Sequence, residues 1–209
     1  MARLGETVRL VELICARLCH DLGGLIGTVG NALDMVAEDT DANNEIVAFA
    51  ATANKALVQR LRLMRTAWGP DFGPIALPAL VLLVTQALAA RRVGLDSRGL
   101  PPGCAFPPPI GRVVLNLILL AADCLPKGGT ITLMGEPADL LIRIDGPEAV
   151  WPPGFTACMG DEAAAIAAMT EARSVQMPLT VLFALSGKLR LSSVLGPAGG
   201  VEAVRLGGA

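Results

Sequence analysis

The chain has 209 residues, a formal net charge of -2, 53% hydrophobic residues and 17% charged ones, where an average domain carries about 25% charged residues. At this length roughly 70% of the surface of the unfolded chain can be buried, so no disulfide or metal staple is required. The small net charge excludes a general attraction to nucleic acid or acidic membrane, and so little polar surface leaves a monomer poorly covered, so a large apolar interface between copies of the chain is expected.

Arg3, Glu6 and Arg9 interrupt the N-terminus before the first helical pattern, which therefore does not read as a signal peptide. From Thr7 to about Glu38, Val11, Ile14, Leu18, Leu22, Leu25, Val29, Ala32 and Val36 recur at steps of three and four, a continuous helical stripe. Asp39 to Asn44 is turn and N-cap material. A second stripe runs through Ile46, Ala50, Ala53, Leu57, Leu61, Met64 and Trp68 and stops at Gly69-Pro70. Two such helices make an antiparallel hairpin about 40 Å long. A lone hairpin leaves much of both stripes uncovered, and two hairpins from two chains make a four-helix bundle, so a homodimer is expected.

After a joint at residues 69–74 the pattern changes. The run 75–90 holds about 16 mostly apolar residues broken by Pro78, Thr85 and Gln86, short of the roughly 20 a membrane span needs. A cytoplasmic protein is expected. Pro78 to Ala90 reads as a helix with proline in its first turn, Val93 to Ser97 as a short strand, and Ile110 to Leu125 as an apolar helix ending in the turn Pro126-Lys127-Gly128-Gly129. Thr130–Met134 and Leu140–Ile144 read as adjacent strands, Asp161–Ala172 and Gln176–Ser186 as helices, and Lys188–Val194 with Val201–Leu206 as a closing strand pair. The fold class is α+β: a helical hairpin over residues 1–70, then an α/β sandwich over 75–209 with helices on one side of a sheet.

The five cysteines are odd in number, show no CxxC spacing and are mostly embedded in apolar patterns, which predicts reduced, buried thiols. Cys15, Cys19 and His20 together offer three metal-ligand side chains on one helix, but no second cluster completes a tetrahedral site.

His20 is the chain's single histidine. It stands two residues from both Leu18 and Leu22, about 200° around the helix, and so faces away from the apolar stripe. Arg17, Gly23, Gly24 and Gly27 share its face. Each glycine costs a helix about 1 kcal/mol relative to alanine. Either they form a smooth lane along which another protein docks, or they let two helices pack tightly. An imidazole is a competent nucleophile at physiological pH without a partner base. Adjacent Asp21 could orient the ring or take its proton, or be an ordinary exposed carboxylate. Counting along both helices sets His20 opposite about residue 63, near Arg60, Arg62 and Arg65, where a cation would hold a phosphoryl group or steer an acidic partner. Arg62 falls off the apolar stripe and is the expected contact.

Leu18-Cys19-His20-Asp21-Leu22, followed by Gly30-Asn31-Ala32-Leu33-Asp34, resembles the phosphoacceptor helix of ChpT-like histidine phosphotransferases, built like the dimerisation and catalytic domains of sensor histidine kinases. The resemblance implies a dimeric bundle joined to a degenerate kinase-like ATPase domain, with His20 as the phosphorylated residue and Asp21 as the acidic residue that follows it. Receiver docking is expected on Arg17, Gly24, Gly27, Asn31 and Arg62. The resemblance also implies a relay in alphaproteobacterial cell-cycle control from a CckA-type hybrid kinase to CtrA- and CpdR-type receivers, with Mg2+ on the receiver and no cofactor on this chain. The proline common in the family a few residues after the histidine is replaced by Gly24-Leu25.

Residues 112–122, ending at Gly128-Gly129-Thr130-Ile131, are similar to a kinase nucleotide-binding helix and the strand after it. Leu120 stands where the Mg2+-holding asparagine would be, and leucine cannot ligate a hard cation. Asp145-Gly146-Pro147-Glu148-Ala149 has its glycines out of place for a D-x-G-x-G loop, and Ser174 to Leu179 replaces a glycine-rich phosphate lid. ATP binding is not expected. The competing functions are a non-catalytic dimeric scaffold for response regulators and an autophosphorylating histidine kinase.

Overall fold

The computed structural model describes residues 2–38, 44–70, 73–197 and 200–208. Most of the turn expected over residues 39–44, part of the joint at 69–74 and the centre of the turn at 196–200 lie outside them.

Helices α1 (Ala2–Glu38) and α2 (Asn44–Trp68) form the expected hairpin. Glu45 in the first turn of α2 and Arg65 in its last complement the helix dipole. Then follow β1 (Ile75–Ala76), α3 (Leu77–Leu88), a turn of 3-10 helix over Ala89–Arg91, β2 (Val93–Gly99), β3 (Ala105–Phe106) and α4 (Pro108–Asp123). The rest comprises β4 (Gly129–Glu136), β5 (Asp139–Asp145), α5 (Phe155–Cys158), α6 (Glu162–Ala167), α7 (Gln176–Ser186), β6 (Leu189–Leu195) and β7 (Val201–Gly208). Prolines open α3 and α4 at positions where a missing N–H is harmless.

One sheet has the order β2-β4-β5-β7-β6, with β2 parallel to β4 and every other pair antiparallel. Strand alternation sends Ile131, Leu133, Leu140, Ile142, Val204 and Leu206 to one buried face. Helices α3, α4 and α7 cover that face, and α4 is buried from Val113 through Ala122 because it also packs against α2 and α7. Gly129 starts β4 at φ +149, and a Cβ there would lie 2.3 Å from the Asp145 carbonyl oxygen, so the turn requires glycine.

Two expectations change. The helix expected over Asp161–Ala172 ends at Ala167, because the chain beyond it turns to meet α1. The carbonyls of Thr170 and Arg173 accept from Arg9 and Arg17 at 2.6 and 2.9 Å, and Val175 and Met169 pack on Leu13. The two-residue strands β1 and β3 and the four-residue α5 were not expected, since so few residues carry no period.

The hairpin is not a free arm. Leu63 and Ala67 of α2 belong to the main core of the sheet half, and Trp68 Nε1 donates to the buried Asn116 Oδ1 at 3.0 Å. Asn116 Nδ2 donates to the Ala67 and Arg112 carbonyls, each at 2.9 Å, while Gln176 Nε2 donates to Asn116 Oδ1 at 3.0 Å. One side chain thereby joins α2, α4 and α7.

Candidate functional site

His20 lies midway along α1 with its side chain 61% exposed. One residue on, Asp21 is turned inward, on the face that also carries Leu13 and Arg17 at steps of four. His20 Nδ1 stands 3.2 Å from Asp21 Oδ1. The other carboxylate oxygen, Oδ2, accepts from Arg17 Nε at 3.0 Å and from Arg60 Nη2 at 2.7 Å. Burial pushes the Asp21 carboxyl upward, but the Arg17 charge and the hydrogen bonds from Arg60 and Arg17 outweigh it and hold the group below the usual carboxylate range. Asp21 is therefore ionised at neutral pH. An ionised carboxylate only accepts hydrogen bonds, so a neutral His20 carries its proton on Nδ1 and leaves the Nε2 lone pair free.

Arg17 is itself held at three points: Asp21, the Arg173 carbonyl, and Asp123 Oδ2 at 2.9 Å. Asp123, at the end of α4, also accepts from Arg91 at 2.8 Å. These groups line a cavity of about 1020 Å³ between the hairpin and the sheet half, whose wall also carries His20, Lys55 and Arg60. Its charged lining is thus mainly cationic, which suits an anionic group.

Gly23, Gly24 and Gly27 continue the surface beside His20, and a Cβ built on any of them meets nothing within 4 Å. Among the described residues no close helix packing needs these glycines. The lane is open. Asn31 is exposed three turns farther along α1.

Two placements correct the sequence reading. Arg17, expected on an exposed docking surface, is only 7% exposed because two carboxylates and the sheet half enclose it. Arg62, expected as the contact near His20, is exposed and does not line the cavity. Arg60 takes that place. It stands three, four and seven residues before the buried Leu63, Met64 and Ala67, hence on the inner face of α2, whereas Arg62 is about 200° away. That spacing was a readable signal for Arg60. None existed for Asp123, Arg91 or Lys55.

The thiols also differ from expectation. All five cysteines are free, and Cys124 and Cys158 are buried, but Cys15 and Cys19 are exposed on the side of α1 that the hairpin leaves uncovered. Burial, followed by the charge of Asp123, pushes the Cys124 thiol up to about 12, so it is not a nucleophile. Among the described residues no group of three or more His, Cys, Asp or Glu could hold a metal ion. No helix among them is long and apolar enough to cross a membrane.

A second cavity of about 590 Å³ lies behind Asp123 and Arg173, lined by Leu120, Val150, Pro152, Pro153 and Met177 among others. Leu120, on the wall of this cavity, is 3% exposed.

Residues 80–198, more than half of the chain, match the family described as the histidine phosphotransferase C-terminal domain. A protein phosphotransferase ChpT from Brucella abortus (strain 2308) is 24% identical over 190 residues, covering 88% of each chain. A solved bacterial phosphotransferase superposes with a TM-score of 0.71 at 21% identity, covering 95% of each chain, which establishes the shared fold. The Acinetobacter baumannii histidine kinase AdeS aligns over 90% of this chain and 95% of that one at 12% identity, with a TM-score of only 0.40.

Proposed function

We propose that this chain, which belongs to the family of the histidine phosphotransferase C-terminal domain, passes phosphoryl groups between receiver-domain aspartates through His20. The observation that carries this is the exposed ring whose Nδ1 is occupied by Asp21, which leaves Nε2 as the nucleophilic nitrogen of a residue that lines the cationic cavity. In the forward step the Nε2 lone pair attacks the phosphorus of a receiver aspartyl phosphate. An N–P bond forms, the P–O bond to the aspartate breaks, and the aspartate leaves as a carboxylate. The phosphorylated ring retains the Nδ1 proton and becomes cationic, and the ionised Asp21 stabilises that charge. Reversal delivers the group to a second receiver. Mg2+ on the receiver supplies stabilisation of the transferring phosphoryl oxygens, while this chain contributes position and the cations that steer an acidic partner.

The working unit is a homodimer. Leu4, Val8 and Val11 stand at steps of four and three near the start of α1, Ile26 and Leu33 stand seven apart farther along it, each 49% exposed or more, and Phe49 and Leu61 are similarly bare on α2. A second hairpin would cover this seam. The donor would be the receiver of a CckA-type hybrid kinase and the acceptors CtrA- and CpdR-type receivers, on the strength of the residues around His20.

The test is phosphate exchange with a phosphorylated receiver. Wild type should take up acid-labile, base-stable phosphate, and His20→Ala should take up none while remaining dimeric. Labelling of His20→Ala would overturn the assignment, and no labelling of wild type by any cognate receiver would favour the scaffold. Incorporation from labelled ATP alone would favour a kinase. Leu120 and the apolar lining beside it argue against that outcome.

A further inference from the structure

We propose that Asp123, in the sheet half, is a positioning residue for His20 and acts through Arg17 and Asp21. The proposal rests on the phosphoacceptor reading of His20 and extends it to a residue 103 positions away in sequence, on a different element.

The chain of contacts is continuous. Arg91 Nη1 donates to Asp123 Oδ1 at 2.8 Å, Arg17 Nη2 donates to Asp123 Oδ2 at 2.9 Å, and Arg17 Nε donates to Asp21 Oδ2 at 3.0 Å. Arg60 Nη2 closes on the same Asp21 oxygen at 2.7 Å. Because both guanidiniums engage Oδ2, the carboxylate plane is set and Oδ1 is left for His20 Nδ1. Arg17 can hold Asp21 in this attitude only while its own far end is fixed. That far end is fixed by Asp123 and the Arg173 carbonyl.

Asp123 closes α4, where a carboxylate sits unfavourably against the partial negative charge of a helix C-terminus. Two guanidiniums offset that. A residue kept only to finish the helix would more naturally be neutral or basic. Arg173 and Val175, in the segment that turns away from α6, bring the sheet half against α1 at the same level. The sheet half is thus part of the geometry that orients the imidazole.

Because His20 is the chain's single histidine, this chain gives one set of ring 15N signals. In alkaline buffer, where a histidine ring is neutral, wild type should show the Nδ1–H form. Asp123→Asn and Arg17→Gln should shift the ring toward Nε2–H and lower the rate constant of transfer within the receiver complex by about tenfold, with the receiver concentration for half-maximal rate little changed. Asp123→Glu, which keeps the charge, should recover both signals in part. In an Asp21→Asn background, Asp123→Asn should add little, since both act along one path.

An unchanged tautomer in Asp123→Asn overturns the proposal, as does a loss confined to receiver affinity or full additivity with Asp21→Asn. The tautomer measurement involves no phosphate transfer, so it decides the matter separately from whether His20 is the phosphoacceptor. If Asp123→Asn proves unstable, Arg17→Lys replaces it. Lysine keeps the charge but cannot span both carboxylates, so an unshifted ring would also refute the coupling.

Discussion

Replacing Asp21 by asparagine probes the clamp at its centre. The side chains of Asp21, Arg17 and Arg60 are 10%, 9% and 11% exposed, close to the buried limit, where removing one member of an ion pair costs about 3–5 kcal/mol. Arg17 retains Asp123 and the Arg173 carbonyl, so its share is reduced. Among the described residues Arg60 meets no second carboxylate, and its Nη1 is already buried without a partner. The loss for Asp21→Asn should thus lie near the lower end, about 3 kcal/mol, or a drop of about 6–12 °C in Tm for a chain of this size. The pH dependence has a definite sign. A carboxyl held below its usual range stabilises the fold fully above the unfolded value of about 3.9, and that contribution fades as pH falls through the folded value. Urea denaturation at one fixed protein concentration, at neutral pH and at about pH 3, should show wild type and Asp21→Asn separated in the first case and less separated in the second. A gap that is absent at neutral pH, or that persists unchanged in acid, would refute the reasoning.

Asn116→Leu should destabilise the protein by about 3 kcal/mol in chemical denaturation, because it orphans the Trp68 indole N–H and the Gln176 amide while burying leucine among them. Gly27→Ala should raise stability by about 1 kcal/mol, since its Cβ enters open space. Gly27→Trp, by contrast, should slow uptake from a phosphorylated receiver without unfolding the helix. Val11→Asp, at a position 55% exposed in the single chain, should weaken self-association about 100-fold or more, read by sedimentation, with circular dichroism unchanged.

The hairpin, the apolar α4 and the paired strands were legible because each is written in a local period: three and four for the helices, two for the strands, with Gly69-Pro70 and Pro126 to Gly129 as stops. The outward aim of His20 followed from the same arithmetic. Arg60 could have been found in that way too, had its spacing to Leu63, Met64 and Ala67 been weighed above its charge. Arg17 could not, since its helical neighbours do not reveal that a second body covers it.

What the sequence alone determined was the long helices, the strands of the main sheet and the face on which His20 stands, because those depend on residues within a turn or two of one another. What only the tertiary structure decided was the environment of that face. Arg17 and Asp123 are 106 residues apart, and no period connects them. They meet because α4 is buried against α2 and α7 and the 170–175 segment folds back onto α1. The charges that orient the imidazole are therefore a product of packing between the two halves.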